Sequence, residues 1–209
     1  MSEARRSRLI LASASPRRAR ILESLGVSFT VVVPTVDEAL SDEEDGPEAA
    51  VRLARSKALS VAATTERPVL AADTLVLVGG HILGKPRSRA HAAEMLRRLS
   101  GRSHDVVTGV CLVAAGKVHA GHERTGVRFS RLDPRAIQWY VRTGEPLDKA
   151  GAYHIDGIGA WLVAGISGSP SNVEGLPVGL VLRLCRRAGL ALGPPAPLKG
   201  RRGPKVGRR

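Results

Sequence analysis

The chain has 209 residues, of which 43% are hydrophobic but only 3% aromatic. This length suits one large domain or two closely joined lobes with an aliphatic core. No apolar run approaches the roughly 20 residues of a membrane-spanning helix, and two cysteines, Cys111 and Cys185, exclude a disulfide framework and a cysteine-rich zinc site. Because the N-terminus leads directly into the first predicted strand and leaves no room for a signal peptide, we expect a cytoplasmic protein.

The formal net charge of +13 would by itself suggest a nucleic-acid partner. Its distribution makes that partner unlikely, because residues 193–209 contain six Lys and Arg residues and no acidic residue. The same segment is rich in proline and glycine, and we predict a disordered, solubilising tail rather than an RNA-binding arm. The predicted organisation is therefore a folded unit over residues 1–192 and a basic tail over 193–209.

The first predicted elements are a strand, a tight loop and a helix. Leu9–Ala12 is a short apolar run of the kind that forms a buried strand. Ser15 followed by Pro16 is typical of the first residues of a helix, since serine caps the end and proline fits the first turn.

The start of this helix has the composition of an anion-binding site. Arg17 and Arg18 lie in the first turn, where the helix dipole is already positive and each cation costs about 0.3–1 kcal/mol. Free backbone N–H groups, the hydroxyls of Ser13 and Ser15 and two guanidinium groups converge there, and phosphate is the usual ligand of such a group. A capped helix with two solvated arginines explains these residues alone equally well.

The rest of the chain predicts mixed helices and strands with at least one antiparallel part, and therefore the α/β class. Helices are expected where apolar residues recur every three or four positions, and strands where short apolar runs are bounded by glycine or proline. The predicted helices cover about residues 47–63, 88–99, 134–144 and 176–189. The predicted strands cover about residues 29–33, 69–72, 75–78, 81–83, 104–115, 118–130 and 161–166.

Asp73 is the residue whose position most strongly indicates chemistry. Apolar runs lie on both sides of Asp73 and Thr74, and a carboxylate buried there without a partner would be costly. Pairing with an arginine would offset that cost, whereas a strand-end carboxylate facing a cleft would hold a metal ion or accept a proton. Lys57 and Lys85 could each place a charge on phosphate. With Glu38 in an acidic loop, these residues favour phosphate chemistry assisted by a divalent cation.

Several motifs, in order along the chain, resemble the Maf family. They are LASASPRR at 11–18, ADTLV at 72–76, GKP at 84–86, LSGRSHDVVTGV at 99–110, EPLDKAGAY at 145–153 and GLP at 175–177. The likeness covers about residues 8–190, and no Walker-type loop or GxGxxG motif competes with it. It implies an elongated, two-lobed α/β fold similar to inosine triphosphate pyrophosphatases, with a mixed sheet, flanking helices and a cleft between the lobes. It also implies hydrolysis of nucleoside triphosphates to the monophosphate and pyrophosphate, a divalent metal (Mg²⁺ or Mn²⁺) and a homodimer.

The resemblance further implies roles for single residues. Asp73 matches the family's proton acceptor, and Asp73 and Glu38 are the expected metal ligands. The expected substrate-binding residues are Ser13, Ser15, Arg17, Arg18, Lys57, Thr74, Lys85 and Asp156. The branch of the family that acts on thymidine and uridine triphosphates has glutamine where this chain has Asp156. An aspartate only accepts hydrogen bonds, so we expect a less sharp preference for these two substrates.

Two other functions compete with that of a pyrophosphatase. One is a non-catalytic nucleotide-binding regulator of division or septum formation, and the other is a nucleic-acid binder that uses the basic surface. Neither needs a carboxylate at Asp73, which would repel phosphate in a cationic cleft unless a metal ion lay between them. Asp73 therefore favours the enzyme.

Overall fold

The computed structural model describes residues 9–40 and 44–192, and these form one sheet with helices packed on its faces. The strands are β1 (Leu9–Ala12), β2 (Phe29–Val32), β3 (Val69–Val78), β4 (His81–Leu83), β5 (Ser103–Ala114), β6 (Lys117–Phe129) and β7 (Val163–Ser167). The helices are α1 (Pro16–Ser24), α2 (Gly46–Ala62), α3 (Arg89–Leu99), α4 (Pro134–Arg142), α5 (Pro170–Val173) and α6 (Val178–Arg187). Short 3₁₀ helices span Glu145–Asp148, Ala150–Ala152 and Ile158–Leu162.

The sheet is mixed, and its strand order is β2-β1-β3-β5-β6-β7, with β4 paired to one end of β3. Strand β1 runs parallel to both β2 and β3, whereas β3, β5, β6 and β7 pair antiparallel in that order. The predicted α/β class, with a mixed sheet and flanking helices, is confirmed.

One edge of β3 is open in its middle. Strand β1 pairs with β3 only at Val69 and Leu70, and on the same side β4 pairs only with residues 76–78. Among the described strands, none pairs with residues 71–75 on that side, while β5 pairs with 69–77 on the other. Because β1 connects to β2 on one side and pairs with β3 on the other, its carboxyl end lies at a switch point, where α/β sheets commonly bind ligands.

Alternate residues of β3 contribute to different hydrophobic cores. Val69 and Ala71 pack in a cluster with apolar residues of α2, as expected for side chains that alternate across a strand. Leu70 belongs to a cluster that includes residues of α1 and α6. Val76 belongs to a separate cluster formed with α3 and α4. The two clusters on this second face meet at Thr74, whereas Asp73 points to the face covered by α2.

The structure differs from the sequence prediction at two places. The two short strands expected around Asp73 are one continuous strand, because Asp73 and Thr74 pair with Gly109 and Thr108 of β5. The expectation that Asp73 ends a strand was therefore wrong. The last strand begins at Val163 rather than 161, since the preceding residues form a 3₁₀ helix.

No helix within residues 9–40 and 44–192 has both the length and the apolar composition needed to cross a membrane. The predicted tail over 193–209 lies outside the described residues and stays a prediction.

Candidate active site

A cavity of about 420 Å³ lies at the open edge of β3. Its wall includes every residue predicted for the site except Asp156. These residues are Ser13, Ser15, Arg17, Arg18, Glu38, Lys57, Asp73, Thr74 and Lys85. The tertiary structure therefore brings together segments that lie up to 72 positions apart in the sequence, from Ser13 to Lys85.

Lys57 joins two of the acidic residues on the cavity wall, Asp73 and Glu38. Its ammonium nitrogen lies 2.5 Å from Asp73 Oδ1 and 2.8 Å from Glu38 Oε1. Lys57 and Asp73 are 6% and 8% exposed, so each would be costly to bury alone. Lysine, rather than the arginine considered from the sequence, compensates the buried carboxylate.

Glu38 is ionised in this arrangement. Partial burial would raise the pKa of Glu38, but the hydrogen bond from Lys57 and the charges of Lys57, Lys85 and Arg18 outweigh burial and lower that pKa. Glu38 and Asp73 therefore present carboxylate oxygens on either side of one ammonium group.

Arg18 is held in place by three hydrogen bonds. Its Nε donates to the carbonyl of Gly175 at 2.8 Å, and its two terminal nitrogens donate to Ser13 Oγ at 3.2 Å and Thr74 Oγ1 at 3.1 Å. Burial lowers the pKa of Arg18, and the Asp73 carboxylate opposes that shift, but a guanidinium stays charged in proteins. Arg18 is thus a fixed cation on the cavity wall and not the solvated arginine of the alternative interpretation.

Arg17 is also on the wall but is held less firmly. Its side chain has no hydrogen-bond acceptor within the part of the chain that the structure describes. Burial lowers the pKa of Arg17, and the charge of Asp148 opposes that shift. The N-terminus of α1 has no side-chain cap from Ser15, so Arg17 and the first turn of the helix both remain free to meet an anion.

A loop that follows α4 closes another side of the cavity. Tyr153, His154 and Ile155 line the cavity, and Glu145 holds the loop by accepting hydrogen bonds from the backbone N–H groups of Ile158 (3.0 Å) and Gly159 (2.9 Å). The glycine-rich sequence of this stretch suits a loop that wraps a ligand, but neither the glycines nor the EPLDKAGAY motif identifies the backbone groups that Glu145 binds.

Burial, hydrogen bonds and nearby charges set the protonation states of Glu145 and His154 in this loop. Burial would raise the pKa of Glu145, but its hydrogen bonds with Tyr140, Gly159 and Ile158 outweigh burial and lower it. The pKa of His154 is lowered, first by burial and then by Arg17, while Glu145 opposes the shift. The loop therefore presents an ionised carboxylate and a neutral imidazole near pH 7.

Asp156 lies apart from the other predicted residues. It is exposed, is not part of the cavity wall, and accepts no hydrogen bond from the described residues. Glu174 does line the cavity. Its pKa is raised by burial and by the negative charge of Asp156.

Glu38 and Asp73 are the residues that could hold a metal ion. The described residues contain no group of three or more His, Cys, Asp or Glu side chains arranged for a metal. Mg²⁺, however, is usually bound through one or two carboxylates together with substrate phosphates and water. Two ionisable carboxyl groups on a wall that also carries arginines and lysines for phosphate fit that chemistry, whereas they do not fit a metal site built from protein ligands alone.

Most of the chain is similar in sequence to proteins that are already known. The family model described as Maf-like protein matches residues 8–188. A dTTP/UTP pyrophosphatase of Symbiobacterium thermophilum is 50% identical over 182 residues, covering 87% of this chain and 94% of that protein. A dTTP/UTP pyrophosphatase of Moorella thermoacetica is 52% identical over 175 residues, covering 82% and 90%. A solved nucleoside-triphosphatase / dITP/XTP pyrophosphatase from Mycobacterium abscessus has 18% identity and a TM-score of 0.40, covering 87% of this chain and 96% of that one.

Proposed function

The chain belongs to the Maf family, as its motifs predict, and we propose that it hydrolyses nucleoside triphosphates to the monophosphate and pyrophosphate. The observation that carries this proposal is the buried Asp73 carboxylate, held by Lys57 on a cavity wall that also carries Arg17, Arg18 and Lys85. Because its relatives are named dTTP/UTP pyrophosphatases, the proposal includes a preference for thymidine and uridine triphosphates.

The cations of the cavity suit a triphosphate. Arg17, Arg18, Lys57 and Lys85 all line it and would meet the charge of three linked phosphates. Arg18 donates three of its five N–H groups to protein atoms, and the other two have no acceptor among the described residues. Lys57 likewise keeps one of its three N–H groups after bonding Asp73 and Glu38. These donors are fixed before substrate arrives, which is how electrostatic stabilisation acts at phosphoryl centres.

In this proposal Asp73 accepts a proton from an attacking water. Its Oδ1 binds Lys57, and its second oxygen has no donor among the residues that the structure describes. Hydrolysis at the α-phosphorus would then release pyrophosphate, whose charge Arg17, Arg18 and Lys85 would balance. Glu38 and Asp73 would hold a Mg²⁺ or Mn²⁺ ion, which when bound would neutralise phosphate charge and make water more acidic.

The experiment is a product assay on the purified protein with Mg²⁺ and a panel of triphosphates. We expect pyrophosphate rather than orthophosphate, with thymidine and uridine triphosphates among the best substrates. Asp73→Asn should reduce turnover by about 10²–10⁴-fold, the usual effect of losing a positioned acid–base group. The fold should persist, because Lys57 keeps its ion pair with Glu38.

Asp105→Asn is the matched control. Asp105 is also on the sheet, but its side chain is 41% exposed and lies near Arg124, outside the cavity wall. The Asp105→Asn variant should hydrolyse triphosphates at the rate of the unaltered protein. Release of orthophosphate, or an Asp73→Asn variant as fast as Asp105→Asn, would refute the assignment. The same assay separates the enzyme from a nucleotide-binding regulator, which would bind triphosphates without turnover.

The family resemblance also implies a homodimer in the cytoplasm, and we include both in the proposal. Sedimentation of the purified protein tests the first: a monomer at micromolar concentration would contradict it.

A further inference from the structure

A row of buried polar groups crosses the sheet from the cavity. It separates the two apolar clusters that meet at Thr74. Thr74 Oγ1 lies 3.0 Å from Thr108 Oγ1, and Thr108 donates to the backbone carbonyl of Asn172 at 2.9 Å. Thr108 and Asn172 are fully buried, and neither lines the cavity. Polar groups buried in an apolar core are usually hydrogen-bonded, and both threonine hydroxyls and the Asn172 carbonyl of this row are.

The chemistry of the two ends fixes the direction of each hydrogen bond. The carbonyl of Asn172 can only accept, so the one hydroxyl hydrogen of Thr108 is donated to it. Thr74 must then donate its own hydrogen to Thr108. Arg18 has only donors, and it donates to the oxygen of Thr74 at 3.1 Å. The hydrogen bonds therefore run in one direction, from Arg18 through Thr74 and Thr108 to Asn172.

Asn172 is itself anchored. Its side-chain nitrogen donates to the carbonyl of Val106 at 3.0 Å and to Thr125 Oγ1 at 2.9 Å. Helix α5, which contains Asn172, leads into Gly175, whose carbonyl accepts from Arg18 Nε. Gly175 has φ +104, and a Cβ there would lie 3.2 Å from Thr74 Oγ1, so glycine permits this approach. One segment thus holds the guanidinium directly at Nε and indirectly through the two threonines.

We propose that Thr108 and Asn172 are positioning residues for substrate phosphate. They orient the Thr74 hydroxyl as an acceptor, and this acceptor holds Arg18 so that its two remaining N–H groups face the cavity. A guanidinium fixed in this way loses little freedom when it binds phosphate oxygens. Thr74 accordingly acts through Arg18, because its only hydroxyl hydrogen is directed away from the cavity. The inference rests on the proposed function, in that the ligand of Arg18 is a phosphate group.

The test is binding of inorganic tripolyphosphate, measured by calorimetry with Mg²⁺, alongside urea unfolding and steady-state kinetics. Thr108→Val keeps the shape but removes the hydroxyl, and we expect about three- to tenfold weaker tripolyphosphate binding, less than the loss of a whole charge-assisted bond. The KM for the triphosphate should rise by the same factor. Thr108→Ser keeps the hydroxyl and should restore both values, even if it lowers stability.

Ser100→Ala is the matched control. The Ser100 hydroxyl is also partly buried and, among the described residues, bonds only the backbone of Leu132, and Ser100 does not line the cavity. We expect Ser100→Ala to lower stability and leave tripolyphosphate affinity unchanged. Equal affinity losses in Ser100→Ala and Thr108→Val, or none in Thr108→Val, would overturn the proposal.

Thr74→Val provides a second route if Thr108→Val does not fold, since Thr74 is only partly buried. It should weaken tripolyphosphate binding as Thr108→Val does, and unchanged binding would overturn the proposal. Tripolyphosphate binding needs no turnover. A protein that binds it through Arg18 but hydrolyses no nucleoside triphosphate would refute the proposed function and support this inference. Failure of the unaltered protein to bind tripolyphosphate would overturn the inference.

Discussion

Gly109 controls how closely α2 approaches the sheet beside Asp73. It pairs with Asp73 across β3 and β5. A Cβ at Gly109 would lie 2.2 Å from the carbonyl carbon and oxygen of Ala50 and 2.5 Å from the nitrogen of Val51. These are backbone atoms of α2 and cannot rotate away. Gly109→Ala would therefore have to displace the helix by more than 1 Å, from 2.2 Å to the 3.4 Å at which ordinary contact begins.

The displacement has a cost in stability and a cost in activity. Helix α2 buries a row of small side chains and Lys57 against the sheet, and a gap of about 1 Å forfeits a quarter to a half of the dispersion energy at each contact. We expect Gly109→Ala to destabilise the fold by about 3 kcal/mol, at the upper end for an overpacked core. In the molecules that stay folded, Lys57 moves relative to Asp73, and a misplacement of about 1 Å can reduce turnover by about 10²-fold.

Urea unfolding followed by circular dichroism measures the first effect, and turnover per folded molecule measures the second. Gly126→Ala is the control, because Gly126 is also inside a strand but a Cβ there would meet nothing closer than 3.8 Å. That variant should be neutral or more stable by a few tenths of a kcal/mol, since alanine restricts the unfolded chain. The reasoning fails if the two variants unfold at the same urea concentration.

Two further predictions concern the wall of the cavity. Arg17→Ala should raise the KM for triphosphates about tenfold. It should leave the urea midpoint nearly unchanged, since it removes a cation from a helix N-terminus. Lost stability with an unaltered KM would contradict this prediction, and Arg20→Ala, on the exposed side of α1, is the control. The lowered pKa of Glu145 means that its ionised form stabilises the fold above its ordinary pKa of 4.5 and that this contribution is lost as the pH falls below it. Unfolding at a series of pH values should therefore show that Glu145→Gln loses less stability on acidification than the unaltered chain, and equal losses would refute the role of Glu145.

The parts of the site that the sequence predicted are those fixed by local chemistry. The strand at Leu9–Ala12 and the helix that begins at Pro16 follow from an apolar run and a helix start signal within a few residues. This strand and helix place Ser13 in the loop between them and Arg18 in the first turn of the helix. The anion-binding character of that turn could therefore be predicted without tertiary information. Asp73 could also be singled out, because a carboxylate in an apolar run needs a partner wherever it lies.

The parts that the sequence did not predict depend on pairing between distant segments. Lys57 is the partner of Asp73 because α2 packs over the face to which Asp73 points, and the side of a strand that a residue faces depends on its register in the sheet. Thr108 and Asn172 resemble ordinary strand and loop residues in sequence. Their roles appear only when β3 and β5 pair in register and α5 packs beside them.

The open edge of β3 explains how two adjacent residues can line one cavity from opposite faces of a sheet. Asp73 points towards α2 and Thr74 towards α1, so in a strand paired along both edges the sheet itself would separate them. Strand β1 ends at Ala12 and β4 pairs only beyond Leu75, which leaves a gap through which the cavity reaches both sides. The residues that follow each flanking strand, Ser13 and Lys85, then line that gap. The pairing of Asp73 with Lys57 and of Thr74 with Arg18 is therefore a consequence of the strand alternation, and a shift of β3 by one residue would place the carboxylate beside Arg18 and separate it from Lys57.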